Sequence, residues 1–120
     1  MKLEVWEALQ PFVEKHGAPV ITDGYFFFAN GHSEVILSFY PNGQMQNCRY
    51  LSGERNHRNV DDGPALHSFY QNGNPRIIQY LVNGVLHRAG NLPAYQSFNQ
   101  HGKCLRSECW IDGERVRSLV

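Results

Sequence analysis

Leu3, Trp6, Leu9 and Val13 recur at helical spacing near the start of the chain, with Val5 and Phe12 flanking the stripe. This rhythm predicts one amphipathic helix over residues 3–16, stopped by Gly17. Pro11 falls inside it. A proline removes an interior hydrogen bond and crowds the preceding turn, so the helix should kink there or carry Pro11 on one side. From residue 20 the texture changes to short β-like runs divided by glycine turns.

Those runs repeat. Ser-Phe-Tyr-Pro-Asn-Gly at 38–43 returns as Ser-Phe-Tyr-Gln-Asn-Gly at 68–73 and Ser-Phe-Asn-Gln-His-Gly at 97–102, 30 and then 29 residues on. A period near 30 means that each copy is one supersecondary unit burying its apolar face against its neighbours. Counting back from each anchor glycine aligns Phe39, Phe69 and Phe98, and further back Val35, Ala65 and Ala94. Strand alternation puts these on one face. Ser38, Ser68 and Ser97 share the other with Ile36, Leu66 and Tyr95. Return strands follow over residues 44–51, 74–81 and 103–110, with Pro75 marking an edge or a bulge.

Asn42-Gly43 and Asn72-Gly73 predict type I′ hairpin turns. A second set of turns falls at Ser52-Gly53, Asn83-Gly84 and Asp112-Gly113, with Asn30-Gly31 as their upstream counterpart in an incomplete first unit. The expected fold is all-β: one domain over 1–120, with a capping helix in 1–24 and tandem antiparallel β-hairpins in 25–117. The cap covers the first unit, as repeat arrays require.

Composition narrows the chemistry. Lys plus Arg equals Asp plus Glu at 11 each, so the chain lacks the basic surplus of a protein built to hold phosphate backbones. The balance is uneven along its length. Residues 1–38 carry two basic and five acidic side chains, and residues 39–120 carry nine and six, eight of the nine being arginine. Arginine's planar fork suits a contact surface.

Cys48, Cys104 and Cys109 are odd in number and form no C-x-x-C pair, which argues against a disulfide-stapled domain and for small buried hydrophobes. No signal-peptide core precedes the helix and no apolar run approaches a membrane span, so the chain reads as cytoplasmic with no membrane partner.

The segments after the second turns are the most distinctive. They run Gly53-Glu-Arg-Asn-His57-Arg58-Asn-Val-Asp-Asp62-Gly63-Pro64-Ala65 and Gly84-Val-Leu-His87-Arg88-Ala-Gly-Asn-Leu92-Pro93-Ala94. With the aromatic-x-x-Asn-Gly and aromatic-x-x-Gly phrases, they resemble the MORN-variant repeat of YwqK-like antitoxins and of many phage proteins. The resemblance spans roughly residues 25–117. Leu92 stands where glycine is expected, His101 replaces the turn asparagine, and Val116-Arg117 replaces His-Arg.

The resemblance implies a twisted sheet of stacked hairpins. It also implies a non-catalytic protein-binding module that sequesters or inhibits another protein, such as a toxin or a host defence complex. The surface expected to carry that contact is a rim bearing Arg55, His57, Arg58, Arg76, His87 and Arg88. The competing expectation is that each His-Arg pair caps a turn or stacks on an aromatic ring, because residues repeated at the period usually serve the scaffold.

Two other functions compete: a nucleic-acid binder using the same arginines with Tyr70, Tyr80 and Tyr95, and a structural repeat pairing through its open sheet edges. No Cys-His-carboxylate trio, zinc spacing or phosphate loop is present, so neither enzyme nor cofactor is expected.

Overall fold

A computed structural model describes residues 2–31 and 33–120. Helix α1 (Leu3–His16) leads into β1 (Val20–Thr22), β2 (Tyr25–Asn30), β3 (Ser33–Phe39), β4 (Met45–Ser52), β5 (Arg55–Asn56) and β6 (Leu66–Phe69). There follow β7 (Pro75–Gln79), β8 (Leu81–Val82), β9 (Val85–Leu86), β10 (Tyr95–Phe98), β11 (Cys104–Ile111) and β12 (Glu114–Ser118). One antiparallel sheet takes the order β1-β2-β3-β4-β6-β7-β10-β11-β12; β5 hangs off β4, and β8-β9 form a separate hairpin. The architecture is the expected all-β hairpin array with a single N-terminal helix.

The helix packs on one sheet face, where Val5 and Leu9 meet Phe26, Phe28, Val35 and Leu37. Phe12, Val13, Phe39 and Tyr50 pack around this cluster. Each apolar side chain taken fully from water there contributes about 1.5–3 kcal/mol. The seated line is Val5, Leu9, Phe12 and Val13. Leu3 and Trp6, expected in the stripe, are 66% and 52% exposed. Two overlapping helical stripes share Leu9 and Val13, and the sheet selects the one that fits over Phe28. The helix continues through Pro11, which is exposed, as is Glu7, whose carbonyl the proline leaves unpaired.

The turns differ from expectation in two ways. In the first set, the Gly43 N–H donates to the Tyr40 carbonyl, Gly43 is left-handed (φ 91°), and Asn42 is not. This is a three-residue loop, not type I′. Asn42 instead uses Oδ1 to accept the Gln44 N–H at 3.0 Å, and Asn72 does the same for Asn74.

Paired positive φ values, the mark of type I′, occur at Asp23-Gly24, Asn83-Gly84 and Asp112-Gly113. The upstream counterpart of the second turn is therefore Asp23-Gly24; Asn30 instead pairs with Ser33 at the β2–β3 connection. In the first full unit the two-residue loop is Gly53-Glu54, between the Ser52–Arg55 pair, with glycine first as in a type II′ turn.

Each unit also carries a β-bulge on the return strand just after its first turn. Register passes over Gln46, Arg76 and Leu105, so these three form an extra-residue column. Pro75 sits beside its bulge in an interior strand, which disposes of its missing donor.

Candidate functional site

The His-Arg pairs lie where the sequence placed them, directly after the second turns, and their contacts are nearly identical in two units. The His57 N–H donates to the Tyr50 carbonyl at 3.0 Å and the His87 N–H to Tyr80 at 3.1 Å. Each imidazole Nδ1 accepts the backbone N–H of the next unit's turn, Asn83 at 3.0 Å and Asp112 at 3.1 Å. An accepting Nδ1 requires the tautomer protonated at Nε2. The Arg58 and Arg88 N–H groups also reach forward, to the carbonyls of Leu81 and Trp110.

The guanidinium carbons of Arg58 and Arg88 lie 3.9 Å from the ring centroids of Tyr50 and Tyr80. Nη1 of each donates to a carbonyl before the buried alanine, Pro64 at 3.3 Å and Pro93 at 3.1 Å. Burial pushes the Tyr50 phenol up to about 12, Cys48 adding to the rise and Arg58 opposing it, so the ring stays neutral beneath the cation. Asp-Gly-Pro-Ala belongs to the same clamp. A Cβ on Gly63 would stand 2.6 Å from Arg58 Nη1, and Gly63 has φ +127°.

His57, Arg58, His87 and Arg88 thus hold the scaffold together rather than stand free along a rim. Arg55 is exposed on β5, in the same unit end as His57 and Arg58, with its Cβ 3.9 Å from a Cβ built on Gly84. Arg76 does not join them. It is the bulge residue next to the first turn, at the opposite end of its strand, so the six expected residues do not share one surface. The end of α1 stands over the first clamp and walls a half-open cleft of about 320 Å³. Lys15, His16, Glu34, His57, Arg58 and Asp62 are among its polar lining residues.

The tyrosines proposed for base stacking are also engaged. Tyr80 lies under Arg88, and the Tyr70 hydroxyl donates to the Phe98 carbonyl at 2.7 Å. Tyr95 faces Arg106 at 4.8 Å. Burial pushes the Cys48 thiol up, opposite to the activation a nucleophile needs. No group of three or more His, Cys, Asp or Glu among the described residues could hold a metal, and no helix is long and apolar enough to cross a membrane.

One cluster was missed in the sequence. Glu108 is 3% exposed on β11, and its carboxylate accepts from Arg106 Nη2 at 2.9 Å, Trp110 Nε1 at 3.2 Å and Arg115 Nη1 at 3.4 Å. Burial opposes its charge, but the Arg106 and Trp110 hydrogen bonds, the Arg106 charge and the Arg115 bond outweigh that and hold the carboxyl below its ordinary value. The signal was present in the column Arg49, Gln79, Glu108, six residues past each anchor glycine, where the charge inverts along the array.

Register also identifies the sheet face opposite α1. One row across it reads Phe27, Ile36, Arg49, Leu66, Gln79, Tyr95 and Glu108. Comparison with protein-family models, curated proteins and solved structures finds no match to this chain.

Proposed function

We propose that the protein is a non-catalytic binding module that sequesters or inhibits another protein in the cytoplasm. The observation that carries this is the helix-free sheet face, which presents aromatic, aliphatic and arginine side chains in one row across successive units. Protein interfaces draw their energy from Tyr, Trp and Arg anchors, and an extended hairpin array offers them over a long rigid surface. The likeness of its His-Arg and Asp-Gly-Pro-Ala segments to YwqK-like antitoxin and phage repeats points the same way, towards a toxin or a host defence complex as target.

Affinity capture from the native host with mass-spectrometric identification tests this. The substitution belongs at Gln79, in that row, and not at Arg55, which pairs with Ser52 on the α1 side, or at Arg58 or Arg88, whose loss would loosen the fold. A specific partner whose recovery falls several-fold with Gln79→Lys supports the proposal. Capture of no protein by the folded chain, or recovery of nucleic acid that collapses between low and moderate salt, would refute it.

A further inference from the structure

We infer that a groove on the helix-free face is an anchor pocket for one apolar side chain of a partner protein, with an adjacent Asp or Glu pairing to Arg49. This rests on the protein-binding function proposed above and gives it a site. The groove measures about 180 Å³ and is lined by Tyr25, Ile36, Ser38, Asn47, Arg49 and Leu66. Register explains its shape. Tyr25, Ser38 and Asn47 follow one another across β2, β3 and β4, so a serine sits between two larger side chains. Ser38 is only 6% exposed while Tyr25 is 46% exposed, a floor and a wall. Ile36 and Leu66 flank Arg49 in the neighbouring row.

Size selects the occupant. A cavity of about 150 Å³ holds a benzene molecule, whereas sites for free small molecules begin near ~300 Å³. The groove therefore takes a side chain, not a metabolite. Charge selects its neighbour. Arg49 Nε is fixed by Asn56 Oδ1 at 2.7 Å, and no described carboxylate lies within 4.0 Å of its guanidinium. A tethered guanidinium whose terminal amino groups have no hydrogen-bond partner among the described residues is preorganised for a carboxylate.

The third unit shows the arrangement satisfied from within. There the place of Ile36 is taken by Tyr95, and on the same face Arg106 packs on that ring and pairs with Glu108. Aromatic ring, arginine and carboxylate all come from the chain. In the first unit the arginine is present and no described carboxylate pairs with it, Glu34 two residues along β3 from Ile36 lying beyond 4.0 Å, which leaves the pairing to the partner.

The test is methyl and aromatic NMR on the full chain titrated with defined peptides, so that no native partner is needed. Acetyl-Phe-Asp-amide should shift the Ile36, Leu66 and Tyr25 signals in the millimolar range, about fivefold more tightly than acetyl-Phe-Lys-amide. Acetyl-Ala-Asp-amide should bind more weakly than acetyl-Phe-Asp-amide. Arg49→Gln, an exposed change, should abolish the Asp-over-Lys preference while leaving all distant methyl signals in place.

Equal affinity for the Asp and Lys peptides, shifts centred on other residues, or stronger shifts of the same signals by an oligothymidine would overturn the inference. Silence towards every peptide would do so too. Host capture of a protein insensitive to Arg49→Glu would then leave the binding function standing with its site elsewhere.

Discussion

Gly63→Ala tests whether the Asp-Gly-Pro-Ala segment exists to seat Arg58. The added methyl would lie 2.6 Å from Nη1 and 3.2 Å from Cζ, so the guanidinium must leave its place. Displacement forfeits the stack on Tyr50, about 0.5–1 kcal/mol, and the half-buried bond to the Pro64 carbonyl, about 1 kcal/mol. A non-glycine residue at φ +127° adds about 1–2 kcal/mol of backbone strain. Together these amount to roughly 3 kcal/mol, or about 12 °C in Tm for a domain of this length.

The decisive assay is a double-mutant cycle with Arg58→Ala, read by urea and thermal unfolding. With the arginine gone, the methyl meets no guanidinium and only the backbone strain remains. The two losses should therefore fall short of additivity by about 1.5 kcal/mol. Strict additivity would refute the coupling and reduce Gly63 to a bend. The second unit fits the same logic. In its corresponding segment the positive-φ residues are Gly90 and Asn91, and Leu92, in the place of Gly63, is 47% exposed while Arg88 keeps its stack.

Tyr40→Phe and Tyr70→Phe each remove a 2.7 Å hydroxyl bond to the next unit, to the Phe69 and Phe98 carbonyls. Each should lower stability by about 1 kcal/mol, seen as a lower urea midpoint at unchanged m. Gly53→Ala, where a Cβ meets nothing but φ is +62°, should cost about 1 kcal/mol, and the pair Gly53→Asn with Glu54→Gly should recover it by adopting the type I′ turn of the later units.

Stability should also depend on pH in two windows. Burial lowers the His67 pKa, so the unfolded chain takes up that proton first; stability is whole above about 6.5 and falls as pH drops through the folded value, and His67→Leu should flatten this step. His16, lowered by burial and by Lys15, adds a residual slope in the same window. Glu108 is held low, so its contribution is whole above about 4.3 and is lost as pH falls toward its folded value; Glu108→Gln should remove that second step in acid unfolding curves.

The repeat made the strands legible because Phe39, Phe69 and Phe98 fix both period and face. The bulges explain what was not legible. Gln46, Arg76 and Leu105 look like ordinary strand positions in the sequence, yet each is skipped by the register, which carries Arg76 away from the other arginines. Turn chemistry misled for a related reason. The sequence offers Asn42 for its tolerance of positive φ, whereas the structure uses its side chain, with Nδ2 reaching the Gln71 carbonyl of the next unit at 3.1 Å. The His-Arg pairs were visible as a motif, but their purpose depended on which strand lay next to them, and spacing does not carry that.

The third unit's departures have a common cause. Tyr40, Asn42 and His57 all reach forward to the following unit, as do Tyr70, Asn72 and His87. In the third copy these places hold Asn99, His101 and Val116, and Cys109 stands where Tyr50 and Tyr80 support the arginines. Among the described residues no strand follows β12 in the sheet to receive such bonds. His101 thus stands where the described strands offer no forward partner. The same test separates scaffold from function elsewhere. Variation in the bulge column and in the Arg49, Gln79, Glu108 column does not follow from a missing forward partner, because these columns already differ between the first and second units. On the proposed binding function, these positions, which vary while the scaffold around them is held constant, are where a partner's chemistry would be met.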